Sequence, residues 1–257
     1  MEILSDKYLV KYRSLVGKKI STGFKKLSLL SKNESGENNF EYYLESSAVY
    51  SSAIEGNTID LNSFMNSKQV KKKFEGKEYR EILDLVKAYK LVKENNLTEK
   101  NFLKAHKIMS REFLIKSKLG KYREEKIGVF DSGGLVYVAI EPEKVKEEMK
   151  KLFTDIEELK KKDLTLEETF YYASMIHLVF VHIHPFMDGN GRSARLLEKW
   201  FLSEKLGETI WKIRSENYYF ENRKDYYSNI NLGHDYYSLN YAKCHLFLQM
   251  IVKSLKQ

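Results

Sequence analysis

The chain has 257 residues, 42% of them hydrophobic and 13% aromatic, which is enough for a sizeable core and excludes wholesale disorder. Only two prolines leave few obligatory helix breaks, so the composition favours a mostly helical protein and excludes collagen-like and proline-rich classes. The 44 Lys and Arg against 36 Asp and Glu give a formal charge of +8, and a single cysteine excludes an internal disulfide framework or a Cys-rich zinc ribbon.

Met1–Tyr8 carries Glu2 and Asp6 and lacks the cationic and apolar regions of a signal peptide. Asn33–Asn39 reads as a loop. Phe40–Ile54 reads as a helix, with Phe40, Tyr43, Leu44, Tyr50 and Ile54 as its apolar positions and Gly56-Asn57 as a stop. Lys68 to Arg80, with Lys71-Lys72-Lys73 inside it, is a basic tract flanked by Glu75 and Glu78. Helices are predicted over Tyr79–Glu94 and Glu99–Phe113. Ile127–Ile140 is an apolar run, a turn at Asp131–Gly134 and a second apolar run, which signals a hairpin closed by Pro142.

A helix follows over Glu143–Glu158, then a second basic tract, Lys160-Lys161-Lys162, set among Glu157, Glu158 and Asp163. Thr165 and Glu168 form a capping box that opens a helix toward Ile183. Leu166, Phe170, Ala173, His177, Phe180 and His184 share one face of it, and Pro185 stops it. Its longest apolar run, Met175–Ile183, is nine residues, against the roughly 20 that a spanning helix needs. Further helices are predicted over Arg192–Leu206 and Leu239–Leu255, with Cys244 a small buried residue of the last. The expectation is a soluble, cytoplasmic, all-α protein with one hairpin. Its charge reads as a dispersed, solvated surface, so neither a membrane nor a nucleic acid is the expected partner.

The chemistry concentrates in His184-Pro185-Phe186-Met187-Asp188-Gly189-Asn190-Gly191-Arg192-Ser193-Ala194-Arg195. Two glycines allow a tight turn and close approach to a ligand. A helix starting near Arg192 points free N–H groups and a positive dipole end into the loop, a natural phosphate site. Arg192 and Arg195, three apart, can reach one anion. Asp188 is a hard ligand for Mg²⁺, and His184 can accept a proton from an attacking hydroxyl. His177 and His182 cannot converge with His184 on one metal while helical. His106 and His245 read as ordinary surface or core residues.

This segment resembles, at every fixed position, the H-x-F-x-[D/E]-G-N-G-R-x-x-R signature of Fic-domain proteins. The resemblance implies a Fic-type helical core with a β-hairpin flap, and AMP transfer from ATP, with Mg²⁺, to a Ser, Thr or Tyr hydroxyl of a target protein. It makes His184 the general base, Asp188 the Mg²⁺ ligand and Phe186 a buried anchor. Gly189, Asn190 and Gly191 become the anion hole, with Asn190 on the α-phosphate, Arg192 on the β-phosphate and Arg195 on the γ-phosphate. Residues 1–75 would then be an N-terminal helical region, 76–210 the Fic core and 211–257 a C-terminal helical extension, although no sharp composition shift marks these boundaries.

The hairpin, through Ile127, Val129, Val136 and Val138, sits where Fic proteins align the target by strand pairing. Gly120-Lys121-Tyr122-Arg123 is similar to the family's lead-in to it. Ser51-Ser52-Ala53-Ile54-Glu55-Gly56-Asn57 resembles the family's inhibitory pattern, [S/T]-x-x-x-E-[G/N]. A carboxylate near a helix C-terminus is unfavourable by itself and hints at a partner. The resemblance names that partner as Arg195, with Glu55 closing the γ-phosphate site and Ser51 steadying the helix. Arg223-Lys224-Asp225-Tyr226-Tyr227 is similar to a segment that shapes the adenine pocket, with Tyr226 and Tyr227 as candidates. Where relatives often place an Asn, this chain has His234. The alternatives are a de-AMPylase in which Glu55 aligns water, and a non-catalytic regulatory or toxin–antitoxin-type module. Contacts in a homo-oligomer are a further implied partner.

Overall fold

A computed structural model of the chain describes residues 1, 3–33, 37–69, 76–131 and 133–256, with the backbone alone described at 30–33, 37–39, 68 and 69. Its helices are α1 (Leu9–Val16), α2 (Lys19–Asn33), α3 (Glu37–Ile54), α4 (Leu61–Gln69), α5 (Lys77–Glu94) and α6 (Glu99–Met109). After the hairpin, β1 (Gly128–Asp131) and β2 (Gly134–Val138), come α7 (Pro142–Lys161), α8 (Leu166–Ile183) and α9 (Asn190–Leu206). The chain ends in α10 (Ser215–Glu221), α11 (Arg223–Ile230), α12 (His245–Leu248) and α13 (Met250–Ser254), joined by short 3₁₀ turns. The architecture is all-α with a two-stranded antiparallel ribbon, as expected.

Every residue of α8 from Thr169 to Ile183 is buried, the mark of a central helix rather than an amphipathic one. Its start is fixed by the expected box: the Thr165 hydroxyl accepts the Glu168 N–H, and the Glu168 carboxylate accepts the Thr165 N–H. α9 packs along it, with α3 and α5 closing one side and α7 another. One hydrophobic cluster runs from Leu4 and Tyr12 through Phe102, Phe180 and Trp200 to Leu255, so all three regions read from the sequence contribute to a common core.

In the hairpin Gly128 pairs with Val138, Val129 with Tyr137, Phe130 with Leu135 and Asp131 with Gly134, with an irregularity between Val129 and Phe130. Gly134, at φ 116°, supplies the turn conformation. The Tyr137 hydroxyl donates to the His182 carbonyl at 2.6 Å, and the Val138 N–H to the His234 carbonyl at 2.8 Å. The ribbon is thus tied to the end of α8 and to the 234–235 segment.

Several boundaries move, each for a local reason. The third helix starts at Glu37 rather than Phe40. Of the loop read over 33–39, residues 34–36 lie outside the described residues, as do Lys71-Lys72-Lys73 and, in the hairpin turn, Ser132. α6 stops at Met109, four residues before Phe113, and Ser110 caps it, its N–H and hydroxyl both donating to the His106 carbonyl. α7 begins at Pro142, which takes the first helical position, where no N–H is needed. The helix read over Leu239–Leu255 is a correction. Asn240 turns its side chain onto the Ala242 N–H, holding this stretch in 3₁₀ geometry, and regular helix is confined to α12 and α13, broken at Gln249.

Beneath α3 lies a buried ion pair, Lys199 Nζ to Glu216 Oε2 at 2.5 Å, with Lys199 also donating to Ser47 Oγ and the Ile213 carbonyl. The Tyr89 hydroxyl donates to the other Glu216 oxygen at 2.8 Å. Burial pushes the Glu216 carboxyl up, but the Lys199 charge and hydrogen bond outweigh it and hold the group below its ordinary range. This cluster joins α3, α5, α9 and α10. Removing one partner leaves a buried charge alone, so Lys199→Ala is expected to cost about 3–5 kcal/mol in chemical denaturation. The double change Lys199→Met with Glu216→Leu is expected to recover most of that loss.

Candidate active site

The loop between α8 and α9 is built by side chains that hold its own backbone. The Asn190 carboxamide accepts the Phe186 N–H at 2.9 Å and donates to the Phe186 carbonyl at 2.8 Å. Phe186 is fully buried, and its ring stacks on His106 with centroids 3.5 Å apart and planes 9° from parallel. His106 Nδ1 accepts the Gly120 N–H at 3.1 Å, so Nε2 carries the proton and donates to the Asp188 carbonyl, also at 3.1 Å. Burial pushes His106 down to about 4, which keeps this neutral tautomer in place. Arg123, 1% exposed, donates from Nε to the His184 carbonyl at 2.7 Å and from its terminal nitrogens to the carbonyls of Glu125 and Ile140. It ties the C-terminus of α8 to the base of the hairpin.

His184 caps α8 in the left-handed conformation, φ 50° and ψ 58°, the one non-glycine residue with positive φ among those described. Its Nδ1 lies 3.2 Å from the Val181 carbonyl. A carbonyl only accepts, so Nδ1 holds the proton and Nε2 presents a lone pair. Burial pushes the imidazole down to about 4, so the ring is neutral near pH 7.

Gly189, at φ 81°, precedes the first turn of α9. Asp188, its side chain 54% exposed, accepts the Gly189 N–H at 2.5 Å and lies 3.6 Å from Arg192. The Arg192 guanidinium stacks 3.7 Å above the Phe113 ring and sits 3.6 Å from Glu81. Arg195 is 1% exposed. It donates from Nε to Ser51 Oγ and from Nη2 to the Ser51 carbonyl, both at 2.9 Å, and from Nη1 to the Tyr226 hydroxyl at 3.1 Å. The remaining bond runs from Nη2 to Glu55 Oε1 at 2.7 Å.

Glu55 therefore reaches from the end of α3 onto the N-terminus of α9. A Cβ built on Gly191 would collide with its carboxylate, so the glycine is what lets the acid sit against the helix start. Burial pushes the Glu55 carboxyl up, but the charges of Arg195 and Arg192 and the Arg195 hydrogen bond prevail and hold it below its ordinary range. Gly56, at φ 100°, turns the chain after Glu55. The Asn57 amide donates to the Glu78 carbonyl at 2.9 Å and Thr58 to the Glu78 carboxylate, which pins this turn to α5.

The structure thus brings His184, Asp188, Gly189, Asn190, Gly191, Arg192, Arg195, Ser51, Glu55, Gly56 and Asn57 into one region. Two readings change. Asn190 has its carboxamide committed to Phe186, leaving its backbone N–H as its contribution to the helix start. Tyr226 is 1% exposed beneath Arg195, its hydroxyl between Arg195 and His177 Nε2 at 2.9 Å, so its ring has no free face for an adenine. Tyr227 is 44% exposed at the rim and donates to the Ile54 carbonyl at 3.1 Å. In the flap, Val129 and Val138 lie in the paired strands, Val136 lies within β2 and Ile127 just precedes β1, while Phe130 and Leu135 are the prominent exposed side chains. His177 and His182 point elsewhere, His182 bonding Tyr241 and the Ile230 carbonyl. Among the described residues no group of three His, Cys, Asp or Glu could hold a metal alone. The sequence reading missed the parts of His106 and Arg123. Gly120-Lys121-Tyr122-Arg123 was the available signal for Arg123, and His106, one buried ring on an amphipathic helix, gave none.

The fold and site together define a helical protein with a β-hairpin, a buried helix start that gathers two arginines, an imidazole at the head of the loop before it and a carboxylate seated on Arg195. Residues 96–202 match the Fic/DOC family. It is 32% identical over 192 residues to the protein adenylyltransferase Fic of Nematostella vectensis, covering 71% of this chain and 41% of that protein. It is 34% identical over 159 residues to the like-named protein of Aedes aegypti, covering 58% and 30%. The chain thus spans about two fifths or less of the length of these curated relatives. In fold it resembles a Fic family protein from Desulfovibrio desulfuricans (TM-score 0.78, 20% identity, 97% of this chain and 72% of that one). A Fic domain protein from Bacteroides thetaiotaomicron gives a TM-score of 0.68 at 21% identity, with 93% of each chain covered.

The Glu55–Gly191 packing can be checked without any activity. Gly191→Ala in the intact chain is expected to push Glu55 off Arg195 and cost about 2 kcal/mol in denaturation, the worth of a charge-assisted bond. In the Glu55→Gly background the same change is expected to be neutral or stabilising by up to about 1 kcal/mol, as alanine is favoured in a helix. Equal costs in both backgrounds contradict the packing.

A pH dependence also follows. Burial pushes His106 and His182 down to about 4, so between that value and about 6.5 the unfolded chain binds more protons than the folded one. Stability is expected to be full above about pH 6.5 and to fall as pH drops toward 4, read as a declining urea midpoint.

Proposed function

We propose that the protein transfers AMP from ATP to a Ser, Thr or Tyr hydroxyl of a target protein, and that Glu55 keeps it at rest. The observation carrying this reading is the Glu55 carboxylate on Arg195 at the N-terminus of α9, an internal anion in a cradle suited to phosphate. The names of the sea anemone and mosquito relatives support the chemistry.

In this reading His184 Nε2 takes the proton of the target hydroxyl. The hydroxyl oxygen forms a bond to the α-phosphorus, and the bond from that phosphorus to the bridging oxygen breaks, releasing pyrophosphate. The N–H groups at the start of α9, Arg192 and Arg195 bind and orient the phosphates. The exposed Asp188 carboxylate suits Mg²⁺ held jointly with them, since that ion commonly uses one or two carboxylates plus phosphate oxygens. When bound, the ion would neutralise charge on the leaving pyrophosphate. Tyr227 at the rim is the remaining aromatic candidate for the nucleoside. β1 offers the target a strand edge, because β2 already meets residue 235 on its other side. With Glu55 in place, its carboxylate holds the Arg195 Nη2 donor that the terminal phosphate would take, and the α-phosphate does not line up for in-line attack.

The cytoplasm, the three-region division and oligomer contacts belong to the same proposal. Hydrolytic removal of AMP, with Glu55 aligning the water, is the second reading, favoured by the ionised carboxylate beside the loop that holds the base.

Glu55→Gly is expected to raise self-AMPylation in ATP and Mg²⁺ by an order of magnitude or more, read by intact mass. Adding His184→Ala is expected to abolish it. If Glu55→Gly gains no AMP over the parent, the resting role of Glu55 fails. If only the parent removes AMP from a modified substrate, the second reading holds.

A further inference from the structure

The charge of this chain is not dispersed. Residues 7–33 carry eight Lys and Arg with no Asp or Glu, and residues 236–257 carry three lysines with none, whereas the remainder holds 33 basic against 36 acidic residues. These two segments therefore carry +11 and the remainder −3, which together make the formal +8. They fold against each other: α2 meets α13, where Gly23 packs on Leu255, and α1 meets α12. Lys7, Lys11, Lys18, Lys19, Lys25, Lys26, Lys243, Lys253 and Lys256 are exposed. Among the described residues none of them has a carboxylate within ion-pair distance, whereas Arg13 pairs with Glu168 at 3.0 Å.

Three features of this face identify its partner. Val10 (79% exposed), Leu29 (54%) and Leu246 (51%) stand out of the same helices, which a purely ionic surface has no use for. Every aromatic ring on α1, α2, α12 and α13 is buried or half-buried, so nothing there can stack on a nucleic-acid base. Between the end of α1, the start of α2 and the last turn of α13 opens a cavity of about 690 Å³. Lys18, Lys19, Lys26 and Lys256 stand in its walls beside Leu15 and Leu255. Phosphate on an apolar stem suits such walls.

We propose that this face docks on an anionic phospholipid surface, with the lysines on headgroup phosphates and the exposed aliphatic side chains at the acyl boundary. No described helix is long and apolar enough to cross a membrane, and peripheral attachment requires none. The face meets α8 at its N-terminal end, through Tyr12 on Tyr171 and Phe24 on Phe170. His184 lies fourteen residues beyond Phe170 at the other end of that helix, about 21 Å along its axis, so the docked protein keeps its catalytic loop away from the lipid.

The test is flotation of the full chain with phosphatidylcholine vesicles, with and without phosphatidylserine. Binding is expected only with phosphatidylserine and is expected to fade as salt rises. The triple change Lys18→Glu, Lys19→Glu, Lys26→Glu is expected to lower bound protein by about an order of magnitude with the circular dichroism spectrum and melting point kept. Val10→Ser with Leu29→Ser is expected to weaken binding with the salt dependence retained. Equal binding to uncharged vesicles overturns the proposal, as does full binding by the triple variant. Displacement of the chain from vesicles by duplex DNA at lower phosphate concentration than the lipid also overturns it, and assigns the face to nucleic acid.

Discussion

A buried guanidinium has to be satisfied on all sides, and the arrangement around Arg195 follows from that requirement. Its donors reach a hydroxyl and a carbonyl from Ser51 on α3, a phenol from Tyr226 on α11 and the Glu55 carboxylate. Leaving a buried charge short of a partner costs several kcal/mol, so α3, with the Glu55 turn at its end, and α11 are obliged to meet on α9. Three of the four bonds do not involve Glu55. Ser51 and Tyr226 therefore hold the guanidinium in place whether the fourth acceptor is a carboxylate or a phosphate. In the proposed function, Glu55 and a substrate phosphate then compete for one donor on a rigid mount, with little reorganisation when one replaces the other.

The mount continues inward. The Tyr226 hydroxyl meets His177 on α8, His177 Nδ1 lies 3.2 Å from Glu198 on α9, and Glu198 accepts the Tyr219 hydroxyl from α10. The loop has an equivalent support on its other side, where Phe186 is clasped between His106 and the Asn190 carboxamide and Arg123 gathers the end of α8. The geometry of the loop is thus set by side chains packed behind it. Electrostatics agree with that division, because His106 under the loop is driven neutral by burial while Glu55 is kept charged by its arginines.

Helical periodicity, the Thr165 capping box and the hairpin were legible because each is written in residues close together along the chain. So was the loop, whose glycines and arginines lie within twelve positions. The pairing of Glu55 with Arg195 was legible only through family resemblance, since 140 residues separate them. Tyr226 misled because a tyrosine near a nucleotide site and a tyrosine under an arginine look alike in a linear string; its burial is decided by α3, α8 and α9 together. Residues 239–244 misled because Asn240 bonds its own backbone and so defeats an otherwise helical pattern. The charge misled differently. Interleaving holds for the middle of the chain, and the two ends that break it become one surface only when α1, α2, α12 and α13 come together.

His184 sits in a backbone conformation that glycine or asparagine would adopt more easily, at φ 50°. The chain leaves α8 at this residue, and two residues on Phe186 is already packed on His106. The fold taken alone thus favours a different residue at 184, and in the proposed function it is the chemistry that retains histidine there. Such a position drifts readily once selection for activity is lifted. In a lineage that kept the scaffold for binding and abandoned transfer, residue 184 is where the sequence would change first, with the helices around it gaining in stability from the exchange.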